Sequence, residues 1–129
     1  MLPEFPTDGW QLRQGQAVWK ASYRAAEVAG ELTLATHPTG AASIEFAKPP
    51  VSLVVAQQTA LGWRLESPTR PRVYTGRGQP PNRIVWFVLA RCLQGRPAPR
   101  GWTFERPTPD AFRMRHAGSG QCLEGYLGP

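Results

Sequence analysis

The segment YTGRGQPPNRIVWFVLARCLQG, from Tyr74 to Gly95, decides the fold because it contains the longest apolar run of the chain. Its apolar positions follow the i, i+3, i+4, i+7, i+8 spacing of a helical stripe: Val85, Val88, Leu89, Cys92 and Leu93. Ile84, Trp86 and Phe87 widen this stripe well beyond one face. We therefore predict one apolar helix at about residues 81–94.

The flanks of this segment suit a helix start and a helix end. Pro80 and Pro81 fit the first turn, where missing N–H groups cost nothing, and Gly95 stands where a C-cap is expected. The GRGQPP turn lacks the third glycine of a dinucleotide fingerprint and the Lys-Ser/Thr pair of a P-loop, so it does not predict a nucleotide site. A helix N-terminus can still hold an anion, and the predicted anion contacts are Arg72, Arg77 and Arg83.

Outward from the helix, the sequence alternates with the period of two that marks half-buried strands. The predicted strands are 17–24, 27–36, 41–47, 51–59, 61–67 and 72–76 before the helix, and 102–106, 111–117 and 121–127 after it. The residues predicted to share the inner face are Val28, Gly30, Leu32, Leu34, Ile44, Phe46, Val51, Leu53, Val55, Leu61, Trp63 and Leu65.

These elements predict an α+β fold. Consecutive meander strands tend to pair as neighbours, and so long a sheet must curl. The expected architecture is a curved antiparallel sheet, an incomplete β-barrel, with the helix packed on its concave side. Residues 1–16 are rich in Pro and Gly and are predicted to be an irregular arm, whereas 17–129 form a single domain.

The chain is basic, with a formal charge of +6 and a pI of about 10.2. Such a balance favours anionic partners, including nucleic acid and membrane surfaces. The cations are almost all arginines, with Lys20 and Lys48 the only lysines, and they are scattered singly. Nucleic-acid binding is therefore kept as the alternative to the leading hypothesis.

Catalytic and metal chemistry find little support in the sequence. The acidic residues show no paired spacing, and His37 and His116 form no metal-ligand pattern with Cys92 and Cys122. The two cysteines are consistent with one disulfide or with two buried thiols, and the second is favoured. We predict no enzymatic activity, no catalytic residues, no metal site and no cofactor.

The order of elements resembles the bacterial outer-membrane lipoprotein carrier and receptor proteins, the Lol superfamily. The resemblance lies in the strand segments VAGELTLATHPTGAASIEFAKPP and LGWRLESP, the helix segment GRGQPPNRIVWFVLARCLQGRPAP, and the strands after GWTFERP, over roughly residues 17–127. It implies export to the periplasm and a cavity for acyl chains. The implied lining residues are Leu34, Phe46, Val55, Trp63, Trp86, Phe87 and Leu89.

The leading hypothesis is a monomeric, non-enzymatic lipid- or lipoprotein-binding domain of the cell envelope that holds acyl chains between sheet and helix, with an anionic membrane surface as a further partner. A third hypothesis is a protein-interaction domain with a fully packed core. No segment reaches the ~18–20 apolar residues of a membrane span, and the N-terminus lacks a signal-peptide pattern. Two explanations remain open: a cytoplasmic protein, or a periplasmic or outer-membrane-associated protein whose leader precedes this sequence.

Overall fold

The computed structural model describes residues 9–69 and 72–128. Within these ranges the chain forms nine strands and one helix. Their bounds are β1 Gln11–Lys20, β2 Glu27–Thr36, β3 Ala42–Lys48, β4 Val51–Gln58, β5 Gly62–Ser67, β6 Arg72–Arg77, α1 Val85–Leu93, β7 Trp102–Glu105, β8 Ala111–His116 and β9 Cys122–Gly128.

All nine strands belong to one antiparallel sheet in the order β6-β5-β4-β3-β2-β1-β9-β8-β7. The first six strands form a meander, and the helix then carries the chain to a second meander, β7 to β9. Strand β9 pairs with β1, which joins the two meanders. Strands β6 and β7 are left as the two edges, so the sheet is not closed. This confirms the predicted fold class.

The helix is shorter than the predicted 81–94 and begins at Val85. Pro81 does not start it; its carbonyl accepts a hydrogen bond from the N–H of Ile84, the extended N-cap residue, at 3.4 Å. Asn82 and Arg83, the polar residues after the prolines, form a turn before the helix. The apolar spacing that predicts the helix begins only after them. At the other end Gly95, with φ of +86°, donates to the carbonyl of Cys92 at 3.0 Å, as expected of a left-handed glycine after a helix.

The core lies between α1 and the concave face of the sheet. Trp86 packs against Phe46, with ring centroids 5.1 Å apart, and against Trp19 at 5.2 Å. The next residue, Phe87, meets Trp63 edge-on at 5.8 Å. The helix is therefore surrounded, which explains why its sequence is apolar on nearly every side.

The first strand corrects the predicted arm at 1–16. Strand β1 begins at Gln11 and ends at Lys20, where the prediction had a strand over 17–24. Its first half is polar and contains Gly15, so it lacks the hydrophobic alternation that reveals a strand in sequence. Residues 1–8 of the predicted arm lie outside the described residues. The other strands agree with the prediction to within one residue at each end.

The predicted inner face of β4 is wrong for Val51 and Val55, whereas Leu53 packs against the core as predicted. Val54 and Ala56 are buried, and Val55 between them is only half-buried on the opposite face. The pairing of β3 with β4 shifts between Phe46 and Ala47, where a bulge inserts Leu53. Because this strand is apolar on both faces, its alternation could not reveal which face is inside.

The predicted inner face of the following strand needs one correction. Leu61 lies in the β4–β5 turn, outside β5, and is 68% exposed. Trp63 and Leu65 do pack against the core, as predicted.

Candidate ligand-binding site

The predicted acyl-chain lining does not surround a cavity. Five of its seven residues are buried in the core, with exposed fractions of 0–4%: Leu34, Phe46, Trp86, Phe87 and Leu89. A side chain that lined a cavity wide enough for an acyl chain would expose surface to it, and these side chains are covered by protein atoms. Trp63 lies against Phe87, and Val55 is on the outer face.

The structure does not bring the three predicted anion contacts together. Arg72 and Arg77 are the first and last residues of β6, and five strand residues span about 16 Å. Arg83 precedes the helix, and its carbonyl accepts a hydrogen bond from Nε2 of Gln121 at 3.4 Å. An anion site formed by all three side chains at the helix N-terminus is therefore not present in this conformation.

A cavity of about 820 Å³ lies instead at the end of the sheet near the helix C-terminus, and of the seven predicted lining residues only Leu34 borders it. We call it the end basin. Its wall is formed mainly by β1 (Gln11, Arg13), the end of β2 with the following turn (Leu34 and 36–40), the β4–β5 turn (58–60), the segment before the helix (79–80) and the helix end (Leu93, Gln94, Arg96). Turns and element ends meet here because the antiparallel strands reverse direction at this end of the sheet.

Gln58 is the polar group buried most deeply in the end basin. It is the last residue of β4 and lies on the same face as Val54 and Ala56, so its side chain points inward and is only 7% exposed. Its Oε1 has no hydrogen-bond partner among the described residues. Such a buried, unsatisfied oxygen costs about 1–3 kcal/mol. The side chain thus borders the basin, while the oxygen itself exposes almost no surface to it.

The charge of the basin wall is positive. The wall contains Arg13 and Arg96 and, among the described residues, no Asp or Glu. Arg13 is already engaged, since it donates to the carbonyl of Leu127 at 2.6 Å and pairs with Asp110 at 3.2 Å. Arg96 donates to Oε1 of Gln94 at 3.3 Å and has no ion pair within the described part of the chain.

A third cation, Arg77, and an exposed apolar side chain, Leu61, lie beside the β4–β5 turn. Arg77 pairs with Gly62 next to this turn, and its side chain is exposed. The turn is held by the hydrogen bond from the N–H of Gly78 to the carbonyl of Leu61 at 3.0 Å. The 68% exposure of Leu61 therefore occurs in a fixed turn, close in the sheet to the end of β6, where Arg77 lies.

The two histidines have local structural partners. Nδ1 of His37 accepts the backbone N–H of Thr39 at 3.1 Å, which holds the β2–β3 turn at the basin wall. Nδ1 of His116 lies 2.9 Å from Oγ of Ser119. No group of His, Cys, Asp or Glu residues in the described part of the chain could hold a metal ion.

Both cysteines are free thiols. Cys92 lies in the buried helix, and burial raises the pKa of its thiol. Cys122 is half-buried and alternates with the inward-facing Leu123, so it lies on the outer face of β9. The sheet thus separates the two thiols.

We expect a thiol reagent to modify one cysteine per folded molecule at pH 8. Cys122 should react and Cys92 should stay protected until the protein unfolds, because the thiolate is the nucleophile and burial disfavours it. Mass spectrometry after alkylation, with and without denaturant, measures this. Equal labelling of both sites in the folded protein would contradict the placement of Cys92.

Sequence reasoning missed Gln58 because a glutamine at a strand end ordinarily faces solvent. Its burial depends on the chain segments that flank the helix, which a period of two does not reveal. The Gln-Gln-Thr sequence at residues 57–59 carries no signal that separates the buried glutamine from the half-buried one.

No protein-family model matches this chain, and a search of curated proteins gives no match either. The resemblance to the lipoprotein carriers and receptors therefore stays a prediction from the order of the elements. Among the described residues, no helix is both long and apolar enough to cross a membrane.

Proposed function

We propose that this protein is a non-enzymatic lipid-binding domain that holds the head group of an anionic lipid or lipid-bearing partner in the end basin. One observation carries the proposal: the basin is bordered both by the buried amide of Gln58, whose Oε1 has no partner among the described residues, and by Arg96, a cation with no ion pair among them. A site that orients a ligand by a few convergent polar groups is the usual arrangement in binding pockets.

The rim supports contact with a lipid surface. Arg96 and Arg77 offer positive charge, and Leu61 offers an exposed apolar side chain at the same end of the sheet. A basic side chain near an anionic leaflet contributes about 1 kcal/mol. The net charge of +6 acts in the same direction over the whole molecule.

This proposal moves the acyl chains out of the predicted cavity between sheet and helix. Phe46 and Leu89 are fully buried there, so a chain could enter only if the helix left the sheet. In the end basin the head group is bound and the acyl chains stay in the membrane or in the donor lipoprotein. We propose that the protein acts as a monomer in the bacterial periplasm, as the resemblance to the Lol superfamily implies.

Flotation with lipid vesicles tests the proposal. We expect binding to vesicles of phosphatidylcholine with phosphatidylglycerol and little binding to phosphatidylcholine alone. Arg96→Gln should weaken binding about fivefold, from the loss of about 1 kcal/mol. Arg115→Gln is the matched control, since this exposed arginine lies on the outer face of β8 and loses the same charge.

Two results would reject the proposal. Absence of vesicle binding by the unmodified protein would remove the lipid function. An equal loss in Arg96→Gln and Arg115→Gln would show that diffuse charge attracts the protein and that the basin plays no part.

The alternatives make different predictions. A nucleic-acid-binding module should bind single-stranded oligonucleotides with an affinity that falls steeply with salt. On the outer face, however, Arg113 is paired with both Glu105 and Glu124, which reduces the free positive charge there.

The packed core fits an interaction domain as well, with the edge strand β6 as the available pairing surface.

A further inference from the structure

We infer that the edge strand β6 is a docking site for an extended acidic segment of a partner protein, which pairs with β6 as an additional strand of the sheet. This site goes beyond the proposed lipid-binding function and does not depend on it, since no residue of β6 lines the end basin. In strand addition, main-chain hydrogen bonds supply the affinity and alternate side chains supply the specificity. Both are available along β6.

The backbone of β6 has unpaired groups at alternate residues. The N–H of Gly78 donates to the carbonyl of Leu61 at 3.0 Å, and this bond continues the register of the β5–β6 ladder. Because hydrogen-bonded pairs alternate along an antiparallel ladder, every second residue of β6 bonds to β5. The other three direct both N–H and C=O to the free edge, where no described residue pairs with them. They are Val73, Thr75 and Arg77.

The opposite edge of the sheet, β7, offers much less. The N–H of Ala117 donates to the carbonyl of Gly101 at 3.1 Å, which continues the β7–β8 ladder and leaves Trp102 and Phe104 facing outward. The N–H of Trp102 is already engaged, because it donates to the carbonyl of Pro99 at 3.1 Å. A partner strand therefore finds its longer run of free groups on β6.

The charge of this edge favours an acidic partner. Strand β6 contains Arg72 and Arg77 and no Asp or Glu, and neither arginine has an ion pair within the described part of the chain. On the adjacent strand, Arg64 and Glu66 pair at 3.4 Å, so β5 adds no net charge. The two arginines of β6 are five residues and thus about 16 Å apart along the strand. Carboxylates at the two ends of a six-residue segment match them.

A second copy of this chain does not have this complementarity. Two β6 strands side by side would bring together two pairs of arginines and no carboxylate. Charged side chains on an edge strand oppose such self-pairing, and like charges across an interface exclude the wrong partner. The occupant is therefore a different, acidic chain.

The inner face of the edge adds an apolar surface. Tyr74 is 50% exposed and lies opposite the half-buried Leu65 of β5. The indole of the half-buried Trp63 covers Gly76, because a Cβ at this glycine would collide with it. Apolar side chains of an added strand would cover Tyr74 and Trp63. The matching segment thus has apolar residues at its inner positions and a carboxylate at each end.

A peptide of the sequence Glu-Phe-Thr-Val-Thr-Glu, blocked at both ends, is the probe. In antiparallel pairing its carboxylates lie opposite Arg77 and Arg72, and its Phe and Val lie opposite Gly76 and Tyr74. We expect saturable binding in a calorimetric titration. The peptide with Lys in place of both Glu residues should bind about tenfold more weakly or less.

Amide hydrogen exchange followed by NMR locates the bound peptide. We expect the peptide to slow exchange at the amides of Val73, Thr75 and Arg77 and to change exchange at Tyr74 and Gly76 little, since these two already bond to β5. This alternation is the signature of strand addition. A peptide that bound only to side chains would not produce it.

Thr75→Pro tests the free backbone directly. It removes the central outward N–H and should weaken peptide binding about tenfold or more, whereas an edge strand tolerates proline where the N–H faces away from the ladder. Thr75→Ala is the matched control, because it loses the same side chain, keeps the N–H and should bind as the unmodified protein does. Proline at the third position of the peptide should cause the same loss with the unmodified protein, so the result does not depend on the folding of a variant.

Four results would overturn the inference. Absence of binding by the acidic peptide, exchange that slows evenly along β6, or binding that survives Thr75→Pro would reject strand addition, and equal binding of the lysine peptide would reject an acidic partner. Dimerisation of the unmodified protein that Thr75→Pro abolishes would make a second copy the occupant instead. Vesicle flotation of Thr75→Pro should match that of the unmodified protein, so the failure of this inference and the failure of lipid binding are distinguishable.

Discussion

Trp86→Ala should lower the free energy of unfolding by about 3–5 kcal/mol, a large share of the stability of a domain of this size. Trp86 is 3% exposed and fills the space between the helix and two strands, where its ring stacks on Phe46 and tilts against Trp19. Its removal leaves a large apolar cavity that the sheet can only partly close. Urea unfolding followed by circular dichroism measures the change.

Tyr74→Ala provides the control for this prediction. Tyr74 lies in the edge strand β6 and is 50% exposed, so its truncation should cost about 1 kcal/mol or less. If Trp86→Ala costs as little as the control, the helix is not held by this packing. An acyl-chain cavity between helix and sheet would then again be a reasonable hypothesis.

Most of the fold could be predicted because its strands alternate clearly. Strand β2 has the predicted bounds, since Leu32 and Leu34 alternate with residues that face away from the core. The helix could be predicted because apolar residues occupy nearly every side of its segment, and Gly95 indicated where it ends. The pairing of β9 with β1 is a contact over more than 100 residues of sequence and has no local signal.

The site could not be predicted in the same way. The prediction took the largest apolar side chains, such as Phe46 and Leu89, as the lining of a cavity, and in the structure they fill the core. Hydrophobicity predicts burial but does not distinguish a packed interior from a lined pocket. The end basin is formed by turns and element ends, whose residues are polar and whose proximity depends on the tertiary fold.

Gly125→Ala should cost about 3 kcal/mol of unfolding free energy, at the upper end for the addition of one methyl group. Gly125 lies opposite Ala17 in the ladder that joins β9 to β1. A Cβ at Gly125 would overlap the carbonyl oxygen of Gln16 and lie 2.7 Å from Cα of Ala17. Both obstacles are backbone atoms, so a rotamer change cannot relieve them and the two strands must move apart.

The same strand contains the control, because a Cβ at Gly128 would meet its nearest neighbour, the carbonyl oxygen of Gln14, at an ordinary 3.4 Å. Gly128→Ala should therefore change stability by about 0.5 kcal/mol or less. The ladder between β9 and β1 is the connection of the second meander to the rest of the sheet, so Gly125→Ala should accelerate amide hydrogen exchange throughout β7, β8 and β9. Exchange that increased evenly over all strands, or a cost no larger than that of Gly128→Ala, would show that the close approach at Gly125 does not hold the two meanders together.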